Sequence, residues 1–203
     1  KLARVMKAQF CPIEKGCKLQ LNKAFNPELM LNGKDVIPNN IAWDQSTHVI
    51  IISGPNTGGK TVTLKTVGLM ALMVRAGLFL PVEKGSHIPF YPEVYADIGD
   101  EQSIEHSLST FSAHIKKIIH IIDHAVSGSL ILLDELGIAT DPQEGASLAE
   151  AMLTELNDKG VTTLVSTHYM GLKLLAQTRA GFLNACTEFD SKSQTPTYHL
   201  IFG

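Results

Sequence analysis

Long apolar runs are missing from this chain: no stretch approaches the roughly 18 consecutive apolar residues that a membrane-crossing helix needs. Nothing has the charged, apolar, then small-residue order of a secretory signal peptide. Clusters of Lys and Arg are absent and the formal net charge is −3, so the electrostatic footprint of a protein that wraps nucleic acid is not there. Nor is any base-stacking aromatic cluster visible, because the 8 Phe fall mostly within apolar runs, where core packing is the expected use. Cysteine is scarce. Cys11, Cys17 and Cys186 are odd in number and lack metal-ligand spacing, which reads as reduced thiols in a cytoplasmic protein. There is no internal repeat and no low-complexity segment. A Lys at position 1 suggests a fragment of a longer protein. What remains is 203 residues, 44% apolar and 18% charged, enough to bury the core of one α/β domain.

What is present concentrates at Gly54-Pro55-Asn56-Thr57-Gly58-Gly59-Lys60-Thr61. This fits G-x-x-x-x-G-K-[ST], the phosphate-binding loop of P-loop NTPases. A β-branched run, His48 to Ser53, leads in and reads as a buried strand. Leu64 to Val74 leads out with apolar residues at helical spacing, and Gly77 stops that helix. Strand, glycine-rich turn and helix start together make an anion site, with backbone N–H groups and the positive helix end facing the phosphates. Lys60 is expected to reach the β- and γ-phosphates of ATP, and the Thr61 hydroxyl to ligate Mg²⁺. The bland alternative is a chance match in a glycine-rich turn.

The remaining elements read as a mostly parallel sheet. Residues 1–47 are expected to give short strands and loops on one side of the core, an N-terminal subregion ahead of a P-loop core at 48–203. Val94–Gly99 reads as a strand and Ser103–Ala125 as a long helix. Leu130–Leu133 is a buried strand, Gln143–Asn157 a helix, Val161–Ser166 a third buried strand, and a helix starts near Tyr169. The alternation of Asn184–Phe189 and Thr197–Phe202 suggests an antiparallel pair at the sheet edge. The fold class is therefore α/β, a P-loop NTPase with helices on both faces and an antiparallel edge, in one domain over 1–203. Leu130–Leu133 runs straight into Asp134-Glu135, the Walker B pattern. On a strand expected beside the P-loop strand, Asp134 would hold Mg²⁺ through water and Glu135 would orient the attacking water. A solvated helix cap is the other use of such a pair. His168, at the end of strand 161–166, could contact the γ-phosphate, although an isolated His is more often a packing or surface residue.

Taken with Asp97-Ile-Gly-Asp-Glu-Gln-Ser103, Ser107-Leu-Ser-Thr-Phe-Ser112, Leu133-Asp-Glu-Leu-Gly137, Thr140-Asp-Pro-Gln-Glu-Gly145 and Ser166-Thr-His-Tyr169, the loop resembles the ATPase domain of the MutS family. Within it the similarity is to the bacterial MutS-two branch. The mismatch-repair branch typically has Met after Gly-Pro-Asn and Ser-Thr after the loop Lys. The resemblance covers about residues 20–203. It implies an ABC-type ATPase homodimer with two ATP-sandwiched composite sites, in which Ser109 and Thr110 of the signature segment reach the partner's γ-phosphate. By spacing alone, Ser-Leu-Ser-Thr-Phe could equally be the start of a helix. Ile37 and Asn39 resemble positions around the adenine, and Asp97 and Asp100 the segment that links ATP state to the rest of the protein. DNA or ribosome contact is implied only through domains outside this chain. Two departures stand out. Ile138 and Ala139 replace a usual Ala-Gly pair, which restricts that loop. Phe25-Asn26-Pro27 stands where the family has Arg-His-Pro, so Phe25 could pack on adenine or fill the core. Another ABC-type ATPase is the nearest alternative, although the transporter signature Leu-Ser-Gly-Gly-Gln is absent. A nucleotide-gated dimerisation module without useful turnover is the other, against which Glu135 speaks.

Overall fold

The computed structural model describes residues 2–14, 16, 18–99, 107–136 and 141–203, with the side chains at 2, 14 and 107–113 outside that description. The N-terminal part supplies helix α1 (Leu2–Val5), strands β1 (Ile13–Glu14) and β2 (Leu19–Ala24), helix α2 (Pro27–Leu31) and strand β3 (Asn39–Trp43). Pro27 opens α2 where no amide is lost, and the Asn26 side chain caps it by accepting from the Leu29 N–H at 2.9 Å. β2 and β3 pair antiparallel as a small sheet of their own.

Strand β4 (Val49–Ser53) then leads through a 3-10 turn at Asn56–Gly58 into α3 (Lys60–Arg75). β5 (Ile88–Pro89), β6 (Val94–Asp97), α4 (Ser107–His124), β7 (Leu130–Leu133) and α5 (Pro142–Asp158) follow. The chain ends with β8 (Thr162–Ser166), α6 (Met170–Thr178), β9 (Phe182–Asp190) and β10 (Thr195–Phe202). β5 pairs with β1. The main sheet runs β10-β9-β4-β8-β7-β6, parallel throughout except for β10 against β9. This is the expected α/β architecture with an antiparallel edge.

One expectation is corrected. The Asp134 strand, β7, does not lie beside β4, because β8 stands between them. Apolar content tells that a strand is buried, not which strand is its neighbour, and all three read alike.

β4, β7 and β8 are buried at every position because both faces of the sheet are covered. Alternation along β4 divides the core. Ile50 and Ile52 pack with Leu64, Val67 and Met70 of α3 and with Leu21, Ile41 and Trp43 of the small sheet. Val49 and Ile51 face the other way, toward Ile118 of α4, Leu153 and Leu156 of α5 and Leu172 of α6. At Gly68, α3 approaches β7 so closely that an added Cβ would lie 2.5 Å from the end of Leu132.

The Phe residues depart from expectation as well. Phe182 is in the core, but Phe10, Phe79, Phe90 and Phe189 are exposed, and Phe10 meets Phe79 edge-on at 6.4 Å. The first three sit on connections around the small sheet, where an apolar neighbour in sequence does not bring burial.

Candidate functional site

The carboxyl ends of β4, β8 and β7 lie side by side, the position where parallel sheets hold ligands. From β4 the chain turns through Gly54 at φ 133° and reaches α3 through Gly59 at φ 91°, both in the region that favours glycine. α2 and α5 have capping side chains, Asn26 and Asp141, whereas α3 has none. Its first-turn N–H groups and the positive end of the helix are thus left for an anion.

Lys60 is buried with its ammonium turned onto the loop. It donates to Gly54 O at 2.8 Å, Pro55 O at 3.1 Å and Asn56 Oδ1 at 3.3 Å. Burial pushes its pKa below the ordinary lysine value, while the carboxylates of Glu135 and Asp134 pull the other way.

Across from it, the Asp134 carboxylate is held at both oxygens. Thr61 Oγ1 donates to Oδ2 at 2.7 Å, and Ser166 Oγ donates to Oδ1. The same Ser166 hydroxyl accepts the Glu135 N–H at 2.8 Å. Glu135 takes φ 55°, a left-handed conformation uncommon outside glycine, and this bond tethers it there. Its Oε1 lies 3.6 Å from His168 Nε2, which in turn is 3.5 Å from Lys60 Nζ. The fold therefore brings together Lys60, Thr61, Asp134, Glu135 and His168. Ser166, which sequence reasoning left without a role, joins them as a shared anchor; its signal was a serine closing a buried strand two residues before His168.

The Thr61 hydroxyl beside the Asp134 carboxylate suits Mg²⁺, a hard cation that takes one or two carboxylates together with phosphate oxygens and water. Among the described residues no three His, Cys, Asp or Glu side chains converge to hold an ion by themselves, so ligand oxygens would have to complete its shell.

Asp97 connects this cluster to α4. Its carbonyl accepts the Asp134 N–H at 2.9 Å, and its carboxylate takes His114 Nδ1 at 2.8 Å and Lys117 Nζ at 2.6 Å. Burial works to raise the Asp97 pKa, but the bonds from His114 and Lys117 outweigh it and hold the carboxyl below its ordinary value.

A cavity of about 470 Å³ opens beside the loop, lined by Asn56, Thr57, Gly59 and Thr61 together with Ile37, Asn39 and Tyr198, whose ring lies close to Gly59. Ile37 and Asn39, which the resemblance assigns to the surroundings of an adenine, both line this cavity. The Asn39 amide, however, is engaged with β10, donating to Tyr198 O at 2.9 Å and accepting the Leu200 N–H at 2.7 Å. Tyr198 was missed. It reaches the cavity because β10 is irregular between Pro196 and Leu200, with Tyr198 at φ 62°, and simple alternation cannot signal that. Of the Phe25-Asn26 pair it is Asn26 that lines the cavity, donating to Thr66 Oγ1 at 2.9 Å. Phe25 lines a separate hollow with Met30 and Pro81. Ser109 and Thr110 fall on the first turn of α4, but their side chains, like Asp100, Ile138 and Ala139, lie outside the described residues. Cys11 and Cys186 are free thiols, and Cys17 also lies outside the description.

The chain that builds this geometry matches a known family. Residues 50–201 match the family model described as MutS domain V. The chain is 49% identical over all its 203 residues to a protein named endonuclease MutS2 from Lactobacillus johnsonii, covering 26% of that protein. It is 47% identical over 203 residues to the protein of the same name from Geobacillus kaustophilus, again covering 26%. Against the one from Geobacillus sp. the identity is 53% over 168 residues, 83% of this chain and 21% of the relative. The chain thus spans about a quarter of the length of the curated relatives it matches.

Proposed function

The chain belongs to the MutS family, as an ATPase domain of its MutS2 branch, and on that premise we propose that it binds ATP with Mg²⁺ and hydrolyses it at the carboxyl ends of β4, β8 and β7. The observation that carries this reading is the closed set of contacts from Thr61 through Asp134 and Ser166 to Glu135, His168 and Lys60, assembled over an uncapped helix start. In this reading Gly54 to Thr61 wrap the phosphates with backbone N–H groups, and Lys60 exchanges its three loop acceptors for phosphate oxygens. Thr61 and Asp134 hold Mg²⁺, which supplies charge neutralisation to the phosphates. Glu135 orients a water in line with the γ-phosphate and accepts its proton, and His168 reports on the terminal phosphate. The nucleoside end occupies the cavity between the loop and Ile37, Asn39 and Tyr198, whose ring offers a stacking surface.

The same reading makes the fold an ABC-type P-loop domain that works as a homodimer. Ser109 and Thr110, at the start of α4, complete the site of a second copy. Pairing driven by ATP then sets the spacing of parts of the longer protein that contact DNA or a ribosome in the cytoplasm. No helix among the described residues is long and apolar enough to cross a membrane.

Glu135→Gln tests the core of this proposal. It removes the base and keeps the Asp134 charge, so Mg-ATP binding should persist while single-turnover hydrolysis of labelled ATP falls by about a hundredfold or more. Wild-type turnover in this variant would move the base elsewhere. Absence of hydrolysis in the unaltered chain and in mixtures that permit dimers would favour the non-hydrolysing, nucleotide-gated module.

A further inference from the structure

Thr187 lies on β9, one position past the last residue paired with β4, where Ser53 stands opposite Cys186. It therefore faces the first residue of the loop. Its hydroxyl occupies the space on which two of the loop glycines depend: a Cβ added at Gly54 would lie 2.1 Å from Thr187 Oγ1, and one at Gly58 would lie 2.3 Å from it. That hydroxyl is buried and, among the described residues, has no hydrogen-bond partner. Buried hydroxyls are nearly always bonded, so an orphan set against a ligand loop calls for a reason. Steric filling alone does not supply one, since an apolar side chain would fill the space without stranding a polar atom.

The acceptors next to it supply the reason. Gly54 O, Pro55 O and Asn56 Oδ1 all accept from the Lys60 ammonium, and Pro55 O also takes the Gly58 N–H at 3.0 Å. If Lys60 swings to phosphate oxygens, as the nucleotide reading requires, the part-buried Gly54 O loses its Lys60 donor. The Thr187 O–H is the unused donor lying against Gly54. We propose that Thr187 is a positioning residue of the phosphate loop, whose hydroxyl takes over Gly54 O when Lys60 turns to the nucleotide. That hydrogen bond forms only when Lys60 turns to the nucleotide, so Thr187 favours the binding conformation without touching the reacting atoms. The inference rests on the nucleotide reading and adds to it a residue on β9, outside the loop itself.

The test is calorimetric titration of Mg-ATP into the unaltered chain and into Thr187→Val, Thr187→Ala and Thr187→Ser, with melting curves of each empty protein and steady-state kinetics alongside. Loss of one neutral hydrogen bond in the bound state should raise Kd about two- to tenfold in the Val and Ala variants. Their kcat should stay within about twofold, because the chemistry is untouched. The melting temperature of empty Thr187→Val should be unchanged or higher, since an orphaned polar atom has been removed. Thr187→Ser, which keeps the hydroxyl, should bind as the unaltered chain does. The Ala variant keeps the test open if the added methyl of Val disturbs folding. Undiminished binding by Thr187→Val would overturn the proposal, as would a Ser variant as weak as Ala, which would assign the effect to methyl packing. If the unaltered chain does not bind Mg-ATP, the nucleotide reading fails and takes this inference with it; binding that no Thr187 variant alters removes the inference alone.

Discussion

Removing the Ser166 hydroxyl should damage stability and turnover together, and the structure sets the size of both effects. The side chain is fully buried, and its single oxygen serves two groups, donating to the Asp134 carboxylate and accepting the Glu135 N–H. A hydrogen bond to a charged group contributes roughly 1.5–3 kcal/mol, and orphaning a buried N–H costs roughly 1–3 kcal/mol. The two share one atom and do not add in full, so Ser166→Ala should lose about 2–4 kcal/mol. In a chain of this size each kcal/mol shifts Tm by about 2–4 °C, so the melting temperature should fall by roughly 5–15 °C. Function should suffer through Glu135, whose left-handed backbone is tethered by that bond and relaxes without it, carrying the carboxylate away from the attacking water. Single-turnover hydrolysis should drop about ten- to hundredfold, while Mg-ATP binding, which depends on the loop and Lys60, weakens less. Ser53→Ala is the matched control: it is equally a buried strand-end serine, but its hydroxyl makes one long bond, 3.3 Å to Ala185 O. Urea and thermal unfolding of both variants, with phosphate release measured on each, decide the matter. A Ser166→Ala protein no less stable than Ser53→Ala, and with unaltered turnover, would refute the shared-anchor reasoning.

Lys60→Ala should abolish Mg-ATP binding by calorimetry, and mixing it with Ser109→Arg should restore activity above either variant alone if each site draws on two chains. Asp97→Asn should destabilise the protein near neutral pH: because the folded carboxyl titrates below its ordinary 3.8, its contribution is complete above that value and is lost as pH falls through the lowered one, so the variant's urea midpoint should vary less with pH in that acid range. Gly68→Ala should destabilise by about 1–3 kcal/mol in spite of Ala's better helix propensity, because its Cβ would meet Leu132 at 2.5 Å, and Leu132→Val in the same chain should recover part of the loss in a urea titration.

How much was legible from sequence depended on whether the signal was local. The loop at 54–61, the strand before it and the helix after it are encoded by adjacent residues, and the structure reproduces them with α3 starting at Lys60. That Asp134, Glu135 and His168 come together was legible because each lies within two residues of the end of a buried strand. Strand order was not legible, because Leu130–Leu133 and Thr162–Ser166 are equally apolar and neither carries a mark of its neighbour. Tyr198 was hidden by an irregularity in β10, and Ser166 and Thr187 by the fact that a small hydroxyl in a strand has no periodic signature. The exposed Phe10 and Phe79 misled in the opposite direction, since local hydrophobicity predicts burial only where the fold provides something to bury against.

The corrected strand order explains the scale of the site better than the expected one. Neighbouring strands lie about 4.8 Å apart, so with β8 between them the ends of β4 and β7 stand roughly 10 Å apart. Had β7 been next to β4, Asp134 would stand only one strand spacing from the loop. With the gap open, the first turn of α3 carries Thr61 back across it to meet Asp134 at 2.7 Å, which closes the floor of the site. The intervening strand serves both sides. Ser166, at its last position, fixes the acid and the strained Glu135, and His168, two residues on, lies within 3.6 Å of Glu135 and 3.5 Å of Lys60. Each of the three strand ends thus contributes something the other two cannot reach: β4 the loop, β7 the carboxylates, and β8 the hydroxyl and imidazole that tie them together. A register slip of β8 by a single residue would turn Ser166 to the opposite face of the sheet and uncouple all three at once.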